Sequence, residues 1–206
     1  TVVVDNEPGI PSVVEHVVRY HRRRKVAFIG GPPENPEAVS RLAACRAALL
    51  SHGITLDPRQ VRSGEFTVST GAVAMHDILQ RGVDFDAVIA ANDAMALGAL
   101  EVLATRGLSV PNDVVVTGFD DIVRARDAAP PLTTVRQPLR AMAELAVRLL
   151  ADRMDGLEVP ELAALPVELV TRSSCGCDGR GATFSNPPSA ARPDVGRYLR
   201  TPRLRD

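Results

Sequence analysis

Short apolar, β-branched runs alternate along the chain with longer segments in which apolar residues recur every three or four positions. The short runs predict buried strands, and the longer segments predict amphipathic helices. The pattern predicts strands over residues 1–4, 26–29, 61–63, 86–90, 114–117, 133–137 and 167–170, and helices over 11–20, 36–52, 69–81, 93–105 and 139–154. Such alternation is typical of βαβ units, so we expect an α/β fold with a parallel sheet flanked by helices.

The composition narrows the functional classes. The chain has 206 residues, of which 45% are hydrophobic, enough to form a buried core. Its net charge of -1 provides no overall field that attracts nucleic acid or an anionic membrane. The three cysteines are an odd number without metal-ligand spacing, so we expect a reducing, cytoplasmic setting, no metal and no cofactor. The chain opens at Thr1 in a β-like run, from which we expect that further sequence precedes it.

Four of the predicted strands are followed closely by short junction segments. These segments are residues 30–32, 65–66, 92–93 and 119–121. Parallel sheets bind ligands beyond the carboxyl ends of their strands. These junctions offer an aromatic ring, an amide and carboxylates, and Arg41 in the next helix adds a charged donor. The set suits recognition of a polyhydroxylated ligand.

Each of these residues also has a structural interpretation that the sequence leaves open. Amides and carboxylates at helix starts and turns often act as caps, an interpretation that applies to Asn92, Asp93, Asp120 and Asp121. Phe66 could lie in the core under a loop. Arg41 could pair with Glu37 on a solvated helix face.

Seven segments resemble, in order, the LacI/GalR family of bacterial regulators. They are VAFIGGP at 26–32, RLA at 41–43, GEF at 64–66, ANDAMALGAL at 91–100, VPNDV at 110–114, GFDD at 118–121 and PPLTTVRQP at 130–138. The resemblance extends over residues 1–177. It implies a periplasmic-binding-protein-like type I fold with a complete C-terminal lobe and a partial N-terminal lobe.

The resemblance also implies a division of the chain. The expected parts are an N-terminal-lobe remnant at 1–24, the C-terminal effector-binding lobe at 25–132, a crossover with an N-lobe helix at 133–160, a return strand at 161–174 and a disordered tail at 175–206. The tail is expected because its composition is rich in Gly, Pro, Ser and Arg and has no periodicity. Cys175 and Cys177 stand too close together for a four-ligand zinc site without partners elsewhere, so no metal is expected there.

The resemblance assigns roles to individual residues. It implies that the ligand is bound by Arg41, Phe66, Asn92 and Asp120. Asp93 would be mainly a helix cap, and Asp121 a ligand neighbour with a weaker claim. The residues resembling hinge positions between the lobes are Asp5, Asn6 and Gln137. Residues 95–103 and 130–131 resemble surfaces used for dimerisation.

The expected function is the sensing of a small-molecule effector, a sugar or a nucleoside-like ligand, without catalysis. Binding would shift lobe closure in a homodimer and so control DNA binding by a helix-turn-helix that the family carries and that these 206 residues lack. An enzyme is disfavoured because no phosphate loop and no Gly-x-Ser-x-Gly motif occurs. Two alternatives remain. One is a sugar-binding protein of a transport system, and the other is a sensor lobe fused to a signalling enzyme, because residues 173–177 resemble the ending of such lobes.

Overall fold

A computed structural model describes residues 1–5 and 8–178, so the tail predicted beyond residue 178 and the predicted hinge residue Asn6 lie outside the described residues. Within them, the strands are β1 (Val2–Asp5), β2 (Val26–Gly30), β3 (Val61–Ser63), β4 (Ala87–Ala90), β5 (Val115–Thr117), β6 (Thr134–Arg136), β7 (Ala163–Pro166) and β8 (Glu168–Val170). The α-helices are α1 (Gly9–Glu15), α2 (Pro36–Ser51), α3 (Val68–Gln80), α4 (Asp93–Thr105), α5 (Val123–Arg126) and α6 (Leu139–Met154). A π-helical turn, His16–Tyr20, continues α1, and 3-10 turns lie at Pro58–Gln60 and Ser173–Cys175.

Four parallel strands form the main sheet in the order β3-β2-β4-β5. Every residue of β2, β4 and β5 is buried, as in parallel sheets whose two faces are covered by helices. In the register of β2 with β4, Val26 lies opposite Ala87 and Ile29 lies opposite Ala90. The predicted α/β fold with a parallel sheet is confirmed. The carboxyl ends of these strands share one edge, and the predicted ligand residues follow those ends.

The start of α2 is set by a local sequence signal. The side-chain oxygen of Asn35 accepts hydrogen bonds from the backbone N–H groups of Glu37 (2.9 Å) and Ala38 (3.1 Å). Pro36 stands at the first helical position, where no N–H group is needed. This cap directs α2 away from the end of β2 and places Arg41 beyond that strand.

Helices α3 and α4 approach each other closely at two glycines. A Cβ atom on Gly71 would lie 2.3 Å from the Met95 backbone oxygen, and one on Gly98 would lie 2.0 Å from the Val68 backbone oxygen. Only glycine permits two backbones to come this near. Most of residues 95–103 are therefore committed to the core, and the dimerisation surface expected there stays a prediction for the positions that are not buried, Glu101 and Val102. The buried residues of α4 in that stretch are Met95, Ala96, Leu97, Gly98, Ala99, Leu100 and Leu103.

Two small sheets accompany the main sheet. β1 pairs in parallel with β7, and α6 packs on this pair through Leu145, which shares a buried cluster with Leu165. β6 pairs with β8 in antiparallel orientation. The strand predicted at 167–170 agrees with β8, but the segment 161–174 also contains β7, a second strand with a different partner. The sequence pattern missed β7 because its four residues include no β-branched side chain.

Helix α1 and the π-helical turn belong to the main core. Their buried residues share one cluster with Phe28 of β2 and Ile89 of β4. These residues are Ile10, Val13, Val14, Val17 and Val18. The expected assignment of residues 1–24 to an N-terminal-lobe remnant is therefore wrong for the helix. Its apolar spacing predicted a helix correctly but carried no information about which sheet would cover its apolar face.

The segment after β8 is packed against the main sheet. The Ser174 hydroxyl donates to the Val116 backbone oxygen (2.6 Å) and accepts from the Thr133 N–H (2.8 Å), and Cys175 is buried. The expected disorder is therefore wrong for residues 175–178. This segment has no apolar periodicity, and side-chain hydrogen bonds hold it against the sheet instead. In the described part of the chain, no helix is both long and apolar enough to span a bilayer.

Candidate ligand-binding edge

Arg41 is buried beyond the carboxyl end of β2. Its Nη1 donates to the Ala91 backbone oxygen at 2.7 Å, and its guanidinium carbon lies 3.8 Å from the centre of the Phe119 ring. A delocalised cation is stabilised over an aromatic face. Glu37 lies 3.5 Å from Nη2. The Nε atom is buried without a hydrogen-bond partner among the described residues, so one donor of fixed orientation remains unused.

Asn92 connects α4 to the loop that carries Phe66. Its side-chain oxygen accepts from the Met95 N–H at 3.0 Å, and its amide nitrogen donates to the Phe66 backbone oxygen at 3.1 Å. Phe66 has a φ of 57°. Its ring lies so close to Gly31 that a Cβ atom there would be 2.2 Å from the ring. The capping role expected mainly of Asp93 is therefore wrong, because Asn92 performs it.

Asp120 follows β5 with a φ of 117°, a backbone conformation that is rare for residues other than glycine. Its N–H donates to the Val135 oxygen at 2.8 Å, and its Oδ1 accepts from Gln137 Nε2 at 2.5 Å. Burial raises the pKa of the Asp120 carboxyl, while the Arg41 guanidinium acts to lower it. The two contacts hold a strained residue in place and set a carboxylate near a buried cation.

Asp93 has no exposed surface. Its Oδ2 accepts from the Ile122 N–H at 2.9 Å, and its Oδ1 accepts from the Thr134 hydroxyl at 2.5 Å. Burial raises the pKa of Asp93 to about 7, although both hydrogen bonds oppose the shift. Its contacts join the loop after β5 to β6 and stabilise the scaffold of the site.

Asp121 is the centre of an arginine cluster. Its side chain is 1% exposed, and it pairs with Arg136 Nε at 2.6 Å, with Arg126 Nη2 at 3.2 Å and with Arg172. Burial acts to raise the pKa of Asp121, but hydrogen bonds from Arg172 and Arg136 hold it below its usual value. The carboxylate thereby links α5, β6 and the segment after β8. These contacts occupy both of its oxygens.

A separate cavity of about 210 Å³ lies beside β3. Its lining is mainly apolar and comes from residues that include Pro32, Leu42 and Val61. None of the four predicted ligand residues lines it. A polyhydroxylated ligand needs convergent polar groups, which are found at the strand ends and not in this cavity.

The other predicted positions have defined places as well. The backbone of Asp5 pairs with Pro166 at the end of β1. Gln137, beside β6, donates to Asp120. A predicted hinge residue therefore contacts a predicted ligand residue directly, and the hinge role of both positions stays a prediction.

One cluster escaped the sequence-based predictions. The imidazoles of His16 and His21 and the thiols of Cys175 and Cys177 bring their ligating atoms within 4.8 Å of one another. Cys175 and Cys177 alone are too few ligands for a zinc site, which is why no metal was expected here, and the fold adds two histidines as partners. The sequence signals were a His pair five positions apart and a Cys-x-Cys pair, which lie at opposite ends of the described chain.

Comparison with known proteins places the chain in a family. A model of the periplasmic binding protein-like domain matches residues 14–175. The transcriptional regulator CelR of Thermobifida fusca is 40% identical over 172 residues, which are 83% of this chain and 50% of CelR. The transcriptional repressor CytR of Escherichia coli K12 is 36% identical over 175 residues, 84% of this chain and 51% of CytR.

A solved structure has the same fold. The complex of the regulator CelR with cellobiose has a TM-score of 0.79 and 40% identity, covering 84% of this chain and 53% of that chain. The chain spans about half the length of the curated relatives it matches. Both curated relatives are named as transcriptional regulators of the helix-turn-helix type.

A parallel sheet with polar residues gathered beyond its carboxyl ends defines a class of ligand-binding lobes. The chain belongs to the periplasmic binding protein-like domain family, in the form of the effector-binding domain of LacI/GalR-type regulators.

Proposed function

We propose that this chain senses a small polyhydroxylated effector, a sugar, at the carboxyl edge of its main sheet. Arg41, Asn92 and Asp120 contact the hydroxyl groups, and the Phe66 ring packs against the apolar face of the sugar. The observation that carries the proposal is that the Arg41 guanidinium converges with the Asp120 carboxylate. The guanidinium is stacked on Phe119 and has an unused Nε donor.

This pairing suits a hydroxyl group chemically. A hydroxyl donates to a carboxylate and accepts from a guanidinium, so one ligand group can satisfy both charged partners. Charge-assisted hydrogen bonds at a desolvated site are stronger than those between neutral groups. A solved structure of the relative CelR in complex with cellobiose supports a sugar as the ligand class.

In the proposed mechanism, effector binding shifts the population of open and closed arrangements of two lobes. Asp120 is bonded to Gln137 next to β6, so a ligand that pulls on Asp120 also acts on the predicted crossover. In the intact protein, a DNA-binding segment and a second copy of the chain read this shift. The relatives named helix-turn-helix regulators support this output.

Calorimetric titration of the chain with cellobiose and with a set of monosaccharides tests the site. We expect at least one sugar to bind, and Asp120→Ala to weaken that binding by about tenfold or more, since a charged hydrogen-bond partner is lost. Glu101→Ala is the control, because Glu101 is an exposed carboxylate on α4 away from this edge. Equal affinity of the Asp120→Ala and Glu101→Ala variants contradicts the site assignment. Absence of binding with every sugar contradicts the ligand class.

A further inference from the structure

Four side chains with metal-ligating atoms converge outside the ligand-binding edge. His16 Nε2 lies 3.4 Å from Cys175 Sγ and 3.5 Å from Cys177 Sγ. His21 Nε2 lies 3.0 Å from His16 Nε2 and 3.6 Å from Cys177 Sγ. All four ligating atoms lie within 4.8 Å of one another. A single small cation at their centre can contact every one of them.

These separations agree with a tetrahedral zinc site. Zinc binds histidine nitrogen at about 2.0–2.1 Å and thiolate sulfur at about 2.3 Å, so tetrahedral ligand atoms stand about 3.3–3.8 Å apart. Three of the four distances above fall in that interval, and the His16–His21 distance is shorter by 0.3 Å or so. Two imidazoles and two thiols are also the donor types that select zinc over magnesium or calcium.

The π-helical turn His16–Tyr20 explains how the two histidines face one point. The His21 N–H donates to the His16 backbone oxygen at 3.3 Å, the five-residue hydrogen bond of a π-helix. This bond stacks residues five apart on one side of the helix, where an α-helix would separate them by about 140°. The imidazole centroids lie 4.7 Å apart as a result. π-helical turns often occur at functional sites.

A glycine between the two cysteines completes the arrangement. Gly176 has a φ of 96°, which is favourable only for glycine. A Cβ atom at this position would lie 3.6 Å from the His21 ring, so the turn passes directly beside the imidazole. The turn in the chain brings Cys175 and Cys177 to the same imidazole nitrogen.

The surroundings orient the ligands. The Thr133 hydroxyl donates to Cys175 Sγ at 3.0 Å, a contact of the kind that positions metal-bound thiolates.

We propose that His16, His21, Cys175 and Cys177 bind one zinc ion in a structural His2Cys2 site. Four protein ligands fill the tetrahedron and leave no position for a reacting water, which distinguishes structural from catalytic zinc. His16 and Cys175 are 159 positions apart in sequence. The ion therefore joins the helix near the start of the chain to the last described turn, and it binds independently of any effector.

Metal analysis of the purified, reduced 206-residue chain tests the proposal. After zinc loading and removal of free metal, we expect about one zinc per chain, the stoichiometry of a closed four-ligand site. Cys177→Ala and His21→Gln are expected to reduce this to below about a tenth, because three ligands hold zinc poorly. Both residues are partly exposed, and circular dichroism verifies that the variants fold.

The chain offers matched controls. Cys45→Ala removes a buried cysteine of α2, and His76→Gln removes an exposed histidine of α3 that contacts Arg106. Both controls are expected to retain zinc in full. Cobalt provides a second readout, because a tetrahedral site with thiolates gives intense visible bands and a sulfur-to-cobalt charge-transfer band. These bands are expected in the unmodified chain and in Cys45→Ala, and not in Cys177→Ala.

Three results would overturn the proposal. One is a folded, reduced chain that takes up less than about a tenth of an equivalent of zinc. Another is zinc that stays bound in both Cys177→Ala and His21→Gln. The third is a Cys175–Cys177 disulfide that persists under reducing conditions and excludes metal from the native chain.

Discussion

Asp93→Asn is expected to stabilise the protein, and to do so more at pH 8 than at pH 5. Asp93 is buried without exposed surface, and burial raises its pKa from 3.8 to about 7. The folded protein therefore holds this proton more tightly than the unfolded chain. The tighter binding of this proton stabilises the fold by its full amount below pH 3.8, and this stabilisation is lost as the pH rises through about 7.

The magnitude follows from the pKa values. A tenfold change in proton affinity corresponds to about 1.4 kcal/mol, so the ionised carboxylate costs up to about 4 kcal/mol above pH 7. Between pH 5 and pH 8 the cost grows by about 3 kcal/mol. An asparagine avoids it, because its oxygen can accept from the Ile122 N–H and its amide can donate to the Thr134 hydroxyl, the two groups that Asp93 contacts.

Urea unfolding of the native chain and of Asp93→Asn at pH 5 and pH 8 measures the effect. The difference between the two proteins cancels the titration of the groups that they share. We expect the advantage of Asp93→Asn to increase with pH. An advantage that stays constant or decreases between pH 5 and pH 8 would refute a raised pKa for Asp93.

Gly98→Ala is expected to lower the free energy of unfolding by about 1–3 kcal/mol in urea titrations, because its Cβ would meet the Val68 backbone; an unchanged midpoint contradicts this contact. Asp121→Asn is expected to cost about 3 kcal/mol at pH 7. Because the fold lowers the pKa of the Asp121 carboxyl, its ion pairs stabilise the protein above the unfolded pKa, and this stabilisation is lost as the pH falls through the folded pKa. A cost of Asp121→Asn that does not decrease in acid would contradict these ion pairs. Asn92→Ala is expected to cost more than the matched cap variant Asn35→Ala, which loses about 1 kcal/mol, since only Asn92 also holds the Phe66 loop; equal losses would show that this loop contact contributes nothing.

The periodicity of apolar residues predicted helices and strands well where the local sequence alone determines the element. The predictions for residues 61–63, 93–105 and 139–154 agree with the structure to the residue. The two helices have apolar residues at helical spacing, and a boundary residue precedes each of them, Asn92 before α4 and Pro138 before α6. β7 contains no β-branched side chain, so the strand pattern did not reveal it.

The roles of the candidate residues were only partly accessible from the sequence. Strand ends identified Arg41 and Asp120 as neighbours, because parallel strands share an edge. From its position after β5, Asp121 is a possible ligand or cap, and the structure surrounds its carboxylate with three arginines. Those arginines come from α5, β6 and the segment after β8, so their meeting depends on how distant elements pack.

The sequence by itself determined the alternation of strands and helices, the helix caps and the polar character of one sheet edge. These features arise from interactions between residues a few positions apart, which a pattern can record. Only the tertiary structure decided that α1 packs in the main core and that His16 meets Cys175. Contacts across 159 positions depend on the complete path of the chain, because no local spacing encodes which distant surfaces bury each other.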